Sequence, residues 1–229
     1  MGVTVFLPTR KGSERVINKN TRPFADREGG LLALKLDQLL GCKNVDEIIL
    51  SSNDEASLEL GRVYAEKDSR LKVVVRPDHL ALSTTSLVDL VKYVPQVVGG
   101  EHILWTHVTS PFVTSEDYDA IIDDYFKALH GNDSLMTVKK IQNFLWDADK
   151  HDLVNRQNNE KWPRTQDLKP FYEIDSAVFL SSKANYKSFQ DRIGLRPKLF
   201  VQEGIKSFDV DWEEDFFLAE QLYLQLYKK

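Results

Sequence analysis

Four cations, Arg10, Lys11, Arg15 and Lys19, crowd the stretch LPTRKGSERVINKN (7–20) against a single acid, Glu14. The chain as a whole leans the other way, with 30 Lys plus Arg, 35 Asp plus Glu and a net charge of −5. A basic loop in an acidic chain suggests one local anion site. Gly12 lets the backbone approach such a ligand closely, Arg10 can fork onto phosphate oxygens, and Lys19 acts as a point charge. The loop has neither the GKS or GKT ending of a Walker loop nor the GxGxxG of a dinucleotide site. A solvated basic loop is the plain alternative. As a loop residue, Lys19 is expected to be exposed and to carry little stability.

Near the other end, FDVDWEED (208–215) sets Asp209 and Asp211 on either side of Val210. Read as a strand end, positions i and i+2 share a face, so both carboxylates point one way. Such a pair suits a hard divalent cation, Mg²⁺, that also takes phosphate and water oxygens. The competing reading makes Asp211 the N-cap of the last helix, with Glu214 completing a capping-box-like pair. Asp209 has no such role. An aspartate pair together with the cationic loop suggests a nucleotide–Mg²⁺ site.

These residues need elements to bring them together. VTVFL (3–7) reads as a buried strand delivering the loop. Residues 31–42, 54–68, 86–98 (disturbed by Pro95), 115–131 and 213–227 have helical patterns. Residues 46–53, 71–77, 102–108, 134–141 and 171–182 read as strands, with LFVQ and SFDVD as short ones. Strand–helix alternation predicts an α/β fold, a mostly parallel sheet with helices on both faces. Ligands of such sheets bind at the carboxyl ends of the strands, which singles out the loops at 8–20, 51–54, 76–86 and 107–115.

The 229 residues, 42% hydrophobic, are expected to fold as one domain, 1–229, with an arm at about 140–172 that carries Phe144, Trp146 and Trp162. Net acidity argues against nucleic-acid binding and against a basic membrane-binding face. One cysteine, Cys42, allows no internal disulfide and reads as core filler. No stretch approaches the roughly 20 apolar residues of a membrane span, and no signal peptide is evident, so a cytoplasmic protein is expected.

Five segments, in order, resemble the cytidylyltransferases that activate acidic nine-carbon sugars, of which the acylneuraminate (sialic acid) enzymes are the type. LPTRKGSERVINKNTRPFA is similar to their opening IPARxGSKxIPxKNxxxLxG. RPDHLALSTTSLVDLV resembles RPxxLAxDxxSxxDxx, and HVTSPFVTSEDYDAII resembles LQPTSPLRTxEDIDxAI. WPRTQDLKPFYEIDSAVFL and FDVDWEEDFFLAE are similar to the last two segments. The resemblance implies a Rossmann-like three-layer sandwich of the nucleotide-diphospho-sugar transferase type. It also implies Mg²⁺-dependent transfer of a cytidylyl group from CTP to the anomeric hydroxyl of a nonulosonic acid, in a homodimer.

By the same resemblance, Leu7, Pro8, Thr9, Arg10, Ser13, Lys19 and Asn20 fall at phosphate and nucleotide positions, and Arg76, Thr84, Thr85 and Ser86 at the cytidine pocket. Arg10, Lys19 and Asp211 take catalytic positions, and Asp209 and Asp211 the metal positions. His107, Thr109, Ser110, Arg164, Gln166, Tyr172 and Glu173 fall on the sugar side, Arg164 as a carboxylate ligand donated across the dimer. Tyr172 also reads as core, and His107 as a hydrogen-bonded strand-end histidine. The chain departs from the pattern at Ser83, His107, Asp175-Ser176 and near Trp146. All but Ser83 lie where the family contacts or shapes the sugar pocket, so the acceptor need not be ordinary sialic acid. Another 2-keto-3-deoxy acid, a nucleotide-sugar glycosyltransferase and a degenerate nucleotide-binding paralogue are the alternatives.

Overall fold

The computed structural model describes residues 2–13 and 15–227; Met1, Glu14, Lys228 and Lys229 lie outside the described residues. The apolar run at the amino end forms β1 (Val3–Pro8), which pairs in parallel with β2 (Glu47–Ser52) and β4 (His102–Trp105). Because β1 is central, both of its faces are covered. Val3, Val5 and Leu7 enter one core cluster and Phe6 enters the other. Period-2 alternation therefore shows in which cluster a residue joins rather than in polarity.

The sheet continues outward through β3 (Leu71–Val75) on one side. On the other side lie β8 (Phe171–Ser182), β5 (Ser134–Ile141) and β9 (Pro197–Val201), giving the order β3-β2-β1-β4-β8-β5-β9. Within this sheet, among the described residues, only the pairings of β8 with β4 and β5 are antiparallel. α1 (Gly30–Leu40), α2 (Glu55–Ala65), α4 (Ser115–Ala128) and α6 (Glu213–Tyr227) contribute to the first cluster. α3 (Leu87–Val97) and α5 (Lys183–Phe189) cover the opposite face. The result is a three-layer α/β sandwich, mostly parallel, as the alternation predicts. α3 runs through Pro95 without ending there. Thr114 and Asp117 close a capping box at the start of α4.

Two features differ from the sequence reading. SFDVD is not a strand: a 3₁₀ turn at Gly204–Ser207 is followed by irregular chain. The reason is its partner. Val210 is fully buried, and its N–H donates to the Thr109 carbonyl (2.9 Å) on the loop after β4, so the segment joins no sheet edge. The 140–172 arm is short-range structure, with β6 (Trp146–Asp147) and β7 (Asp152–Leu153) paired in a separate two-stranded sheet.

β8 carries an irregularity opposite β5 between Met136 and Val138. Ser176 stands there at φ 60, in the left-handed region, and Asp175 is buried. Asp175 accepts from Thr137 Oγ1, the Ala177 N–H and Gln202 Nε2, so its carboxylate holds the irregularity in the strand and does not line the cavity described below. Among the described residues no helix is long and apolar enough to cross a membrane.

Candidate active site

β1 hands the chain to the cationic loop at the carboxyl edge of the sheet, and three bonds set that loop's course. Thr9 N–H donates to the Ser51 carbonyl (3.0 Å), Lys11 N–H to Asn53 Oδ1 (3.0 Å), and Asn20 Nδ2 to the Arg10 carbonyl (3.4 Å). Val16 is fully buried and anchors the far side. Gly12 takes φ +77 with open space where a Cβ would stand, which leaves its backbone accessible to a ligand.

The two ends of the chain meet at Lys19. Its Nζ donates to the Val210 carbonyl at 2.8 Å and lies 3.8 Å from Asp211 Oδ1. The side chain is only 14% exposed, which corrects the expectation of an exposed lysine. Burial lowers its pKa, and the neighbouring Asp211 and Asp209 oppose that shift. Arg15 pairs with Asp211 at 2.9 Å and lies over the Trp212 ring.

Asp211 does not cap α6. Asp215 Oδ2 accepts from both the Asp211 N–H (3.1 Å) and the Trp212 N–H (2.8 Å), so the reciprocal cap comes from Asp215 rather than Glu214. Asp209 is deeper, and burial pushes its carboxyl pKa up against a hydrogen bond from the Thr109 side chain. Its Oδ1 is buried without a hydrogen-bond partner among the described residues.

An orphaned buried carboxylate oxygen beside a second acid is chemistry that fits a divalent cation. No group of three or more His, Cys, Asp or Glu gathers for a metal among the described residues. The two acids therefore suit an ion that completes its shell with phosphate and water oxygens.

Lys19, Arg10 and Ser13 line a cavity of about 580 Å³ that runs along the strand ends. That lies within the range of roughly 300–1,000 Å³ expected of ligand sites. At one end Arg76, almost wholly buried, donates to the Thr9 carbonyl and fixes the start of the loop. Desolvation lowers its pKa to about 10, so it remains a cation at neutral pH. Ser86 is the N-cap of α3, and Thr85 Oγ1 donates to the His79 carbonyl (2.8 Å). Both line the cavity, as does the departure residue Ser83.

At the other end His107 Nε2 accepts from Trp105 Nε1 at 3.0 Å. Burial, with Arg192 and Lys19 adding to it, holds the imidazole pKa down to about 3. His107 is thus neutral, carries its proton on Nδ1, and is a cavity wall as well as a hydrogen-bonded strand-end residue.

Pro8, Thr9, Asn20 and Thr109 also line the cavity, but several other expected residues do not; Asp209 and Asp211 are among these, and Asp211 is joined to the lining through Lys19 and Arg15. Leu7 is fully buried in the core, Thr84 is exposed outside the lining, and Ser110 is buried with its carbonyl accepting from Lys35 Nζ (2.7 Å). Lys35, held also by Tyr118 (2.8 Å), props the loop after β4 from beneath. Arg164, Gln166, Tyr172 and Glu173 sit on the arm or the outer end of β8, away from the cavity within one chain.

Arg164 forks onto Asp167 (2.8 and 3.2 Å), and Glu173 faces Lys139 at 3.8 Å. Tyr172 is 42% exposed, so it is not core. Sequence reasoning missed Arg192 and Trp105 in the lining, and counted Arg15 without assigning it a partner. Nothing in the run QDRIGL marks Arg192, whereas Arg15 was legible as part of the charge cluster.

The pattern of the Cytidylyltransferase family matches residues 4–228. A pseudaminic acid cytidylyltransferase of Campylobacter jejuni is 24% identical over 95% of this chain and 94% of its own length. An N-acylneuraminate cytidylyltransferase of Streptococcus agalactiae is 23% identical over 92% of this chain, but the match spans only 51% of that relative. Among solved structures, a CMP:2-keto-3-deoxy-manno-octonic acid synthetase complexed with CTP superposes with a TM-score of 0.69 at 12% identity, over 98% of this chain and 99% of that one. The last likeness bears on the fold, which is the Rossmann-like fold of nucleotidyltransferases.

Proposed function

The chain belongs to the cytidylyltransferase family, and from that premise we propose that it transfers a cytidylyl group from CTP to a nonulosonic acid. The sugar's anomeric hydroxyl attacks the α-phosphorus and passes its proton to Asp211; that O–P bond forms as the bond to the β-phosphate oxygen breaks, and pyrophosphate leaves. The observation that carries this reading is the bridge at Lys19, which ties the cationic loop to the Asp209–Asp211 segment beside one cavity.

In such a transfer the protein's part is placement and charge neutralisation. Arg10 and Lys19 hold the triphosphate, and Lys19 faces the charge that grows on the leaving pyrophosphate. The end of the cavity at Arg76, Thr85 and Ser86 takes the nucleoside. His107 and Thr109 face the acceptor. Asp209 and Asp211 would hold Mg²⁺, which when bound supplies charge stabilisation to phosphate oxygens.

The exposed rings of Phe144, Trp146 and Trp162 support a second proposal, that the arm docks against another copy of the chain and offers Arg164 to its partner's site.

The direct test is turnover. The protein is incubated with CTP, Mg²⁺ and, in turn, pseudaminic, N-acetylneuraminic and 3-deoxy-manno-octulosonic acids, while pyrophosphate is followed. Release with one of the two nonulosonic acids is expected, and only with Mg²⁺ present. Release with the octulosonic acid alone would move the acceptor to eight carbons. Silence across the panel despite CTP binding would overturn the enzyme reading in favour of a nucleotide-binding paralogue.

A further inference from the structure

Arg192 is a cation that makes no ion pair among the described residues, although it feels the field of its chain neighbour Asp191. It follows α5 and precedes β9, and it is half-buried. Its guanidinium stacks 3.6 Å from the Phe179 ring centroid and 5.3 Å from that of Trp105. These two residues pair across β4 and β8, so the stack rests on the rigid sheet. Among the described residues no carboxylate lies in ion-pair range of Arg192, and its side chain makes no hydrogen bond; only its backbone N–H is bonded, to Asp191 Oδ1. None of its nitrogens is sealed in the interior, and the side chain lines the cavity. A stacked guanidinium with open donors is a preorganised fork waiting for an anion.

The place of the fork narrows the anion. Arg10, Lys19 and Arg76 enter from the β1 and β3 side of the sheet, where a triphosphate already has its cations. Arg192 enters from the β4–β8 side and is a single charge, which matches a monoanion better than a phosphate chain. Trp105, which lies under the guanidinium, donates to His107 Nε2, so the fork and His107 share one wall of the cavity. In a 2-keto-3-deoxy sugar acid the carboxylate is bonded to the anomeric carbon itself. A group that grips that carboxylate therefore aims the attacking hydroxyl. Trp105 and Phe179 give the same spot an apolar floor.

Resting on the cytidylyl-transfer reading above, we infer that Arg192 binds the carboxylate of the acceptor sugar in cis, from the chain that also binds the CTP. Arg164, already forked onto Asp167 on the arm, is then not needed for that charge.

The test measures sugar and nucleotide separately. Binding of N-acetylneuraminic, pseudaminic and 3-deoxy-manno-octulosonic acids, and of the methyl ester of whichever binds best, is followed by equilibrium dialysis in the presence of CTP. Wild-type protein, Arg192→Gln, Arg192→Lys and Arg164→Gln are compared, with turnover alongside. Arg192→Gln is expected to weaken the free acid by roughly 10- to 100-fold, the range of a charge-assisted fork, with CTP affinity unchanged. Esterification should cost the wild type a similar factor and cost Arg192→Gln nothing more. Arg192→Lys should recover part of the loss.

The ester comparison in the wild type stands even if a variant fails to fold: an ester that binds as well as the acid overturns the assignment. So does unchanged acid affinity in folded Arg192→Gln, a loss that falls on CTP instead, or a loss seen only in Arg164→Gln. Wild-type protein that binds none of the acids overturns both this assignment and the proposed reaction. Arg192-dependent binding without pyrophosphate release leaves the assignment standing and overturns the reaction.

Discussion

The cationic loop at 9–20 and the arm at 142–169 are both irregular, yet they are held in opposite ways. The loop's ties reach across the whole chain: Lys19 bonds Val210, 191 residues away, and Lys11 bonds Asn53. The arm's ties stay within the arm. Asn155 bonds Leu145, Asn143 and Lys169, Gln142 bonds Gln166 and Leu168, and Arg164 bonds Asp167. Its aromatic residues Trp146 and Trp162 remain more than half exposed. A single chain thus finishes the loop but only preforms the arm. Under the proposed function, the nucleotide end of the site is intrinsic to the fold, and the arm waits for a second copy.

The largest expected effect comes from cutting the loop's long-range tie. Lys19→Ala removes a charge from the phosphate end and a bond between the chain's two termini. Turnover should fall by about 10²–10³-fold, the range for one preorganised donor. Because Lys19 is mostly buried and bonded, stability should also fall by about 1–3 kcal/mol. Chemical denaturation beside steady-state kinetics checks both. A variant with normal turnover would break the claim that the loop is the catalytic half of the comparison.

Asp209→Asn should act more selectively, with turnover down about 10²-fold and Mg²⁺ stimulation lost. Its thermal stability without metal should be unchanged or higher, because burial already disfavours the ionised carboxylate. The sign follows from the raised pKa. The native wild type holds that proton more readily than the unfolded chain, so its stability declines as pH rises through the raised titration range. Any gain from Asn should therefore shrink as the pH is lowered, which melting curves across acid pH would reveal. Full Mg²⁺-stimulated activity in this variant would remove Asp209 from the metal site.

The same contrast explains what the sequence made legible. The alternation of apolar runs and helical periods set out the sandwich, since each element's pattern is local to it. The cations of 7–20 and the acids of 208–215 stand out by charge against their surroundings, while their convergence is made by contacts between distant residues, Lys19 with Val210 and Arg15 with Asp211. Asp209 and Asp211 stand on irregular chain. A period-2 strand was expected there, but Val210 is held by the Thr109 carbonyl, a contact with no local signal. Arg192 was invisible for a related reason. Its meaning lies in the rings beneath it, which come from β4 and β8. Resemblance placed Leu7, Thr84 and Ser110 with the ligand contacts because they sit inside matched segments, although their side chains point to the core or away from the cavity.

The smallest effect on turnover is expected from the arm, and it sharpens the comparison most. Trp162 stacks edge-on to Phe144, with ring centroids 6.0 Å apart, so Trp162→Ala removes an exposed aromatic anchor with little buried area inside the chain. Melting temperature should barely move, and CTP affinity should be unchanged, since among the described residues no hydrogen bond or ion pair joins the loop to the arm. If the arm seats on a second copy, the dimer dissociation constant should rise about 10-fold or more, as for loss of one interface anchor. Sedimentation velocity over a dilution series would read that shift. Turnover should then become dependent on protein concentration, falling a few-fold where the variant is monomeric. A wild-type chain that is monomeric and fully active at every dilution would erase the distinction, because the arm would then have no occupant to wait for. A destabilised variant with an intact dimer would reverse it, making the arm part of the chain's own fold.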